Sequence, residues 1–156
     1  MNELNLQTGW AVFIGLVAAV EDLRRRQIPN WIPVAAIVGG LAIAFRDRGW
    51  SGAGSSMLGL MAGFAVFFVF YALGAMGGGD VKLMAGFGAV LGWSLIWEAS
   101  LWTAAVGGLV ALIAAGASAI RQSGRGKSGK GKQIASESIP YAPAIALGSW
   151  LALIAH

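Results

Sequence analysis

The stretch SSMLGLMAGFAVFFVFYALGAM, residues 55–76, contains no charged side chain. Crossing about 30 Å of hydrocarbon takes roughly 20 residues of apolar helix, so this stretch predicts a membrane span. The chain as a whole is also apolar, since 57% of its 156 residues are hydrophobic and 12% are charged. A soluble domain of this size needs a large polar exterior and carries about 25% charged residues. The composition therefore predicts an integral membrane protein.

Five further apolar stretches accompany residues 55–76, and together they predict an all-α bundle of about six transmembrane helices in one domain, residues 1–156. Several of these stretches are shorter than the ~17 residues that usually cross a bilayer. We expect residues 121–138, RQSGRGKSGKGKQIASES, to form a flexible basic loop that anchors the topology or contacts anionic lipid or an acidic partner. The predicted spans are Leu6–Val20, Trp31–Phe45, Ser55–Met76, Leu83–Trp97, Ala99–Ile120 and Ile139–Ala155.

The basic residues predict the orientation of the bundle. With the N-terminus outside, nine of the eleven Lys and Arg residues fall on inner loops, and only Arg46 and Arg48 fall on an outer loop. Both termini are therefore predicted outside, with the 121–138 loop in the cytoplasm. Apolar stretches of membrane length separate the basic clusters, which indicates loops between spans and no nucleic-acid partner. The first span lacks the basic N-terminal end of a signal peptide and is expected to be retained.

The residue types restrict the chemistry. The chain has no cysteine and a single histidine, His156. This excludes a thiolate nucleophile and a cysteine zinc site, and it argues against a histidine metal site or a Ser-His triad. We expect neither a metal nor a cofactor, so any activation of water would depend on carboxylates, lysine or tyrosine.

Two aspartates fall on the predicted inner side. Asp22 follows the first span, and Asp80 follows Gly77-Gly78-Gly79 between the third and fourth spans. Taken alone, Asp22 fits a solvated acid beside arginines, and Asp80 fits the N-cap of the fourth span after a flexible turn. If the two meet, they cannot both ionise cheaply, and they would share a proton as in an aspartic protease. The spacing leaves both interpretations open.

Two short motifs flank these aspartates. Pro29 keeps Ile28 out of a helix, and Asn30 is a predicted N-cap for the second span. Three consecutive glycines have a high conformational entropy cost, which predicts unusual backbone torsions or the close approach of another chain.

Four elements in this order resemble the type IV prepilin peptidases, which are GxGD-type intramembrane aspartyl proteases. The resemblance implies that Asp22 and Asp80 are the catalytic pair. The implied substrate is a prepilin, cut at the cytoplasmic face of the bacterial inner membrane after the glycine that ends a short basic leader. The elements are Asp22, Ile28-Pro29-Asn30, Gly77-Gly78-Gly79-Asp80 with Lys82, and residues 139–148 (IPYAPAIALG).

The resemblance has further implications. The short chain is similar to the branch that serves Flp/Tad pili, so pilus-assembly proteins are expected partners besides membrane lipids. Longer members carry a cytosolic insert, often with zinc-binding cysteines, and also N-methylate the product. This chain lacks that insert and every cysteine, which implies peptidase activity without methyl transfer. The related archaeal preflagellin peptidases share the catalytic pattern.

The residues near the implied dyad each allow a functional and a purely structural interpretation. Lys82 either influences the dyad or holds a substrate acid, or it is an anchor on the inner side of the membrane. Tyr141 and Pro143 either line the site or simply begin the sixth span. Two other functions fit a small glycine-rich membrane protein: a transporter or channel subunit, and a non-catalytic assembly protein.

Overall fold

The computed structural model describes residues 3–25, 27–74, 76–123 and 142–155, and within them it is all-helical. The predicted all-α class is therefore confirmed. Three helices are long and apolar enough to cross a membrane, whereas the fourth is apolar but has only 13 residues. The helices are α1 (Glu3–Arg25), α2 (Trp31–Ala72), α3 (Gly78–Ser123) and α4 (Ala142–Ile154).

Each long helix covers two predicted spans. Helix α2 covers the second and third predicted spans, carries the half-buried Asp47 and is interrupted at Gly49, within the connection predicted between them. Helix α3 covers the fourth and fifth predicted spans and continues to Ser123, inside the predicted 121–138 loop. The rest of that loop, residues 124–138, lies outside the described residues.

One glycine interrupts each long helix. Gly49 in α2 has φ 59° and ψ −140°, and Gly92 in α3 has φ 74° and ψ −177°. Positive φ with such ψ values is essentially restricted to glycine, because a Cβ would clash with the backbone. Gly49 lies in the predicted connection between the second and third spans. Gly92 lies inside the fourth predicted span, so this break was not predicted. A single glycine in a glycine-rich stretch gives no signal of a break.

The chain reverses at Gly49. Before this residue, contacts between α2 and α3 advance in the same direction along both helices, and after it they advance in opposite directions. The two halves of α2 therefore run antiparallel and both pack on α3. The contacting pairs are Ala36 with Gly86 and Gly40 with Val90 before the break, and Gly59 with Gly88 and Gly63 with Met84 after it.

The chain also reverses at Gly92. A Cβ added to Gly63 would lie 2.7 Å from the carbonyl oxygen of Met84 and 3.2 Å from the Cδ1 atom of Ile96. In a straight helix, Met84 and Ile96 would be about 18 Å apart along the axis. Because both touch one residue of α2, the two halves of α3 fold against each other.

Side chains from other helices satisfy the backbone at the Gly92 break. The Oγ of Ser56 donates to the carbonyl oxygen of Ala89 at 2.7 Å, and the Nε2 of Gln7 donates to that of Val90 at 2.6 Å. The Oγ of Ser55 accepts the N–H of Trp93 at 3.2 Å. An unsatisfied backbone group in hydrocarbon costs several kcal/mol, so these bonds make a broken helix tolerable inside the bundle.

Small residues bring the helices close together. A Cβ on Gly59 would overlap the carbonyl oxygen of Gly88, and a Cβ on Gly40 would lie 2.7 Å from the N of Val90. Glycines of both long helices therefore serve packing, since close approach is a main source of helix association in lipid. Large side chains from all four helices then fill the core, among them Ile14, Ile32, Phe87 and Ile145.

We predict that Gly59→Ala destabilises the protein by about 1–3 kcal/mol or more, because the added Cβ meets backbone atoms that cannot move independently. Gly54→Ala is the matched control in the same helix, since no atom lies within 4 Å of a Cβ at that position. It should leave stability unchanged or raise it by about 0.5–1 kcal/mol. Thermal unfolding in detergent measures both, and equal effects of the two substitutions would contradict the packing role.

Candidate active site

Asp22 and Asp80 come from different helices and are buried at one end of the bundle. Asp22 lies in the last turn of α1 and is 6% exposed, and Asp80 is the third residue of α3 and is 8% exposed. The connection that follows Asp22 packs on the start of α3, where a Cβ on Gly79 would lie 3.4 Å from the Cβ of Ile28, so both acids lie at the same end of the bundle. The interpretation of Asp22 as a solvated acid is wrong, because α4 covers it.

Each carboxyl group accepts a hydrogen bond from the backbone. Oδ2 of Asp22 accepts the N–H of Ala142, the first residue of α4, at 3.1 Å. Oδ2 of Asp80 accepts the N–H of Gly77, just before α3, at 3.2 Å. Hydrogen bonds are directional, so both side chains have a defined orientation.

Asp80 is not the N-cap of α3. The helix begins at Gly78, and the N–H of Asp80 bonds to the carbonyl oxygen of Gly77 at 3.2 Å. The Asp80 side chain reaches back to the N–H of Gly77, as the acidic member of a capping box does. This bond stabilises the helix start and orients the carboxyl group at the same time.

The three glycines before Asp80 do not adopt the unusual torsions that we considered. Among the described residues, positive φ occurs at Gly49, Gly74 and Gly92. The close approach of another chain stays a prediction. Within this chain, a Cβ on Gly77 would lie 3.2 Å from Oδ2 of Asp80, which is a tight contact, and a Cβ on Gly79 would lie 3.4 Å from the Cβ of Ile28, which is an ordinary contact.

The connection between α1 and α2 lies against the start of α3. Ile28 is half-buried against Gly79, and Oδ1 of Asn30 accepts a hydrogen bond from Nζ of Lys82 at 3.0 Å. The prediction that Asn30 caps α2 is wrong, since it has helical torsions and makes no side-chain cap bond. The N–H of Ile32 bonds instead to the carbonyl oxygen of Pro29 at 3.1 Å. Lys82 thus ties this connection to α3.

The remaining predicted residues lie on or before α4. Pro143 is the second residue of α4 and is half-buried, and Tyr141 lies outside the described residues. Sequence reasoning missed Ala142 as a site residue because its contribution is a backbone N–H, which any residue except proline supplies. Within the described part of the chain, no three His, Cys, Asp or Glu side chains are grouped closely enough to hold a metal ion.

A cavity of about 490 Å³ lies at the Gly92 break. Gly92 is twelve residues beyond Asp80, or about 18 Å along a helix, so the cavity lies away from the two aspartates. One feature of the sequence points to this region, which is the polar Gln7 within an apolar span. The polar residues that line the cavity include Gln7, Asp47, Arg48, Ser55, Ser56 and Ser94.

Comparison with known proteins identifies relatives of this chain. A curated protein of Bacillus subtilis (strain 168), named prepilin leader peptidase/N-methyltransferase, is 33% identical over an alignment of 150 residues that covers 92% of this chain and 54% of that protein. Proteins of the same name from Aeromonas hydrophila and Aeromonas salmonicida are 27% identical over 165 residues, covering 97% of this chain and 52% of theirs. The chain thus spans about half the length of these relatives. No solved structure matches it.

The pattern of one protein family also matches the chain. Residues 10–113, which include both Asp22 and Asp80, match the type IV leader peptidase family. The match covers about two-thirds of the sequence, and the curated relatives extend the similarity over nearly all of it. The chain therefore belongs to the type IV leader peptidase family, as the resemblance of its motifs indicated.

Proposed function

We propose that this protein is an aspartic endopeptidase that removes the leader peptide from prepilins. The observation that carries the proposal is the buried pair Asp22 and Asp80, which lie on α1 and α3 at the same end of the bundle in a member of the type IV leader peptidase family. The names of the curated relatives support a prepilin as the substrate.

The pair suits activation of water. Two carboxyl groups that meet in a buried site share a proton, because two negative charges side by side are costly there. The ionised partner accepts a proton from water while the water oxygen attacks the scissile carbonyl carbon. The protonated partner donates a hydrogen bond to the carbonyl oxygen, and a proton then passes to the leaving nitrogen. The N–H groups of Gly77 and Ala142 hold the two acids in place.

In the proposed topology, six segments cross the membrane, both termini lie outside, and the aspartates lie at the cytoplasmic face. The reversals at Gly49 and Gly92 support it, because they divide α2 and α3 into two segments each. Exposed Arg24 and Arg25 lie at the same end of α1 as Asp22, which fits an excess of basic residues inside. A prepilin leader on the cytoplasmic side of its apolar helix would then reach the dyad.

Several finer features complete the proposal. The cut follows the glycine that ends the basic leader, and the membrane is the bacterial inner membrane. The pilus system is of the Flp/Tad type, with membrane lipids and pilus-assembly proteins as further partners. We propose peptidase activity without methyl transfer, since these 156 residues contain none of the cysteines associated with the longer enzymes.

We predict that Asp22→Asn and Asp80→Asn each abolish cleavage, because an amide cannot exchange a proton near pH 7. Asparagine is nearly isosteric and still accepts a backbone N–H, so both variants should insert and unfold like the wild type. Asp47→Asn, in the half of α2 away from the dyad, should retain cleavage. The measurement is processing of a prepilin precursor by purified protein in liposomes.

The double variant provides a further check. The losses should not add, because the two acids perform one step together. Substantial cleavage by Asp80→Asn would mean that Asp80 only stabilises the start of α3. It would contradict the dyad. A folded wild-type protein that leaves every prepilin precursor intact would contradict peptidase activity and favour a transporter or assembly function.

The topology gives a separate prediction. A reporter inserted within residues 123–131 should be cytoplasmic, and a reporter fused after His156 should be periplasmic, because nine of the eleven basic residues then lie inside. Paired enzymatic reporters that are active on only one side of the membrane measure this. The opposite pair of results would move both aspartates to the outer face and exclude cytoplasmic processing.

A further inference from the structure

The start of α4 is attached to the first aspartate. Ala142 is fully buried, and its N–H donates to Oδ2 of Asp22 at 3.1 Å. The first N–H groups of a helix have no partner within the helix and lie at the positive end of its dipole. A carboxylate is therefore a favourable partner for the N–H of Ala142, and Asp22 supplies it from a position 120 residues away in sequence.

A second contact fixes the register of α4 against α1. Nε1 of Trp150 donates to the carbonyl oxygen of Ala11 at 3.3 Å, and the Trp150 indole packs against Gly15. The two bonds join Asp22 to the start of α4 and Ala11 to a point two turns further along it. The helices are thus antiparallel and held at two points, so α4 cannot slide without breaking its bond to Asp22.

The neighbouring residue narrows the choice of donor. Pro143 follows Ala142 and has no N–H, so a shift that placed residue 143 opposite Asp22 would leave the carboxylate without this bond. The sequence after Ala142 therefore favours Ala142 as the donor.

We propose that α4 is the positioning element of the first catalytic aspartate: the Ala142 N–H holds Oδ2 of Asp22 and so directs the other oxygen toward Asp80 and the substrate. This inference rests on the proposed function. It makes Ala142 a positioning residue for the reaction through a backbone group. The catalytic residues remain the two aspartates.

The test is a pair of substitutions with similar added bulk. Ala142→Pro removes the N–H, and proline is well tolerated at the first position of a helix. Ala142→Val adds comparable volume at the same buried position but keeps the N–H. We expect Ala142→Pro to lower kcat for prepilin cleavage about 10- to 100-fold with KM nearly unchanged, because a misplaced catalytic group slows chemistry more than binding. Ala142→Val should retain most of the wild-type kcat.

A stability measurement tests the hydrogen bond without using activity. In the wild-type background, Ala142→Pro should lower the melting temperature of the full chain in detergent by several degrees more than Ala142→Val does. In an Asp22→Ala background, which removes the acceptor, this difference should disappear, because the two substitutions break one interaction.

The outcomes separate the inference from the proposed function. If the wild type leaves prepilin intact, the proposed function fails, and the melting cycle still tests the Asp22–Ala142 bond. Equal kcat values for the proline and valine variants, or a loss confined to KM, would overturn the positioning role. A proline effect on melting that is the same with and without Asp22 would overturn the bond itself.

Discussion

The structure depends on one constraint: backbone N–H and C=O groups at helix breaks and helix starts need partners inside an apolar bundle. Lipid cannot supply them, and each unsatisfied group costs several kcal/mol. At the Gly92 break, side chains of α1 and α2 supply the partners, namely Gln7, Ser55 and Ser56. At the starts of α3 and α4 the partners are carboxylates, Asp80 and Asp22. The same rule therefore stabilises the fold and fixes the two acids.

Glycine makes this arrangement possible in two ways. Positive φ at Gly49 and Gly92 lets α2 and α3 reverse within a single residue. The absence of a Cβ at Gly59 and Gly88 then lets the helix backbones touch. Because the backbones are this close, short side chains such as serine can reach the unpaired groups of a neighbouring helix. Reversal, packing and backbone satisfaction thus depend on one another.

For the proposed function, the consequence is that the two aspartates are also structural groups. Asp80 stabilises the start of α3 through Gly77, and Asp22 joins α1 to α4 through Ala142. The connection between α1 and α2 also contacts α3, through Ile28 on Gly79 and Asn30 with Lys82. The elements that carry the two acids are therefore linked directly, which gives a buried pair a defined geometry. Such a geometry is what shared-proton chemistry requires.

The sequence by itself determined the all-α class, the membrane character and the family, because apolar length and motif order are properties of the chain. It also located the reversal near Gly49, where charged residues separate two apolar stretches. Only the tertiary structure decided the position of the Gly92 break, the hydrogen-bond partner of the Asn30 side chain and the contact made by the N–H of Ala142. Each of these depends on a partner distant in sequence, or on a backbone group that almost any residue provides. Hydrogen bonds of that kind leave no local pattern, so they appear only once the helices are packed.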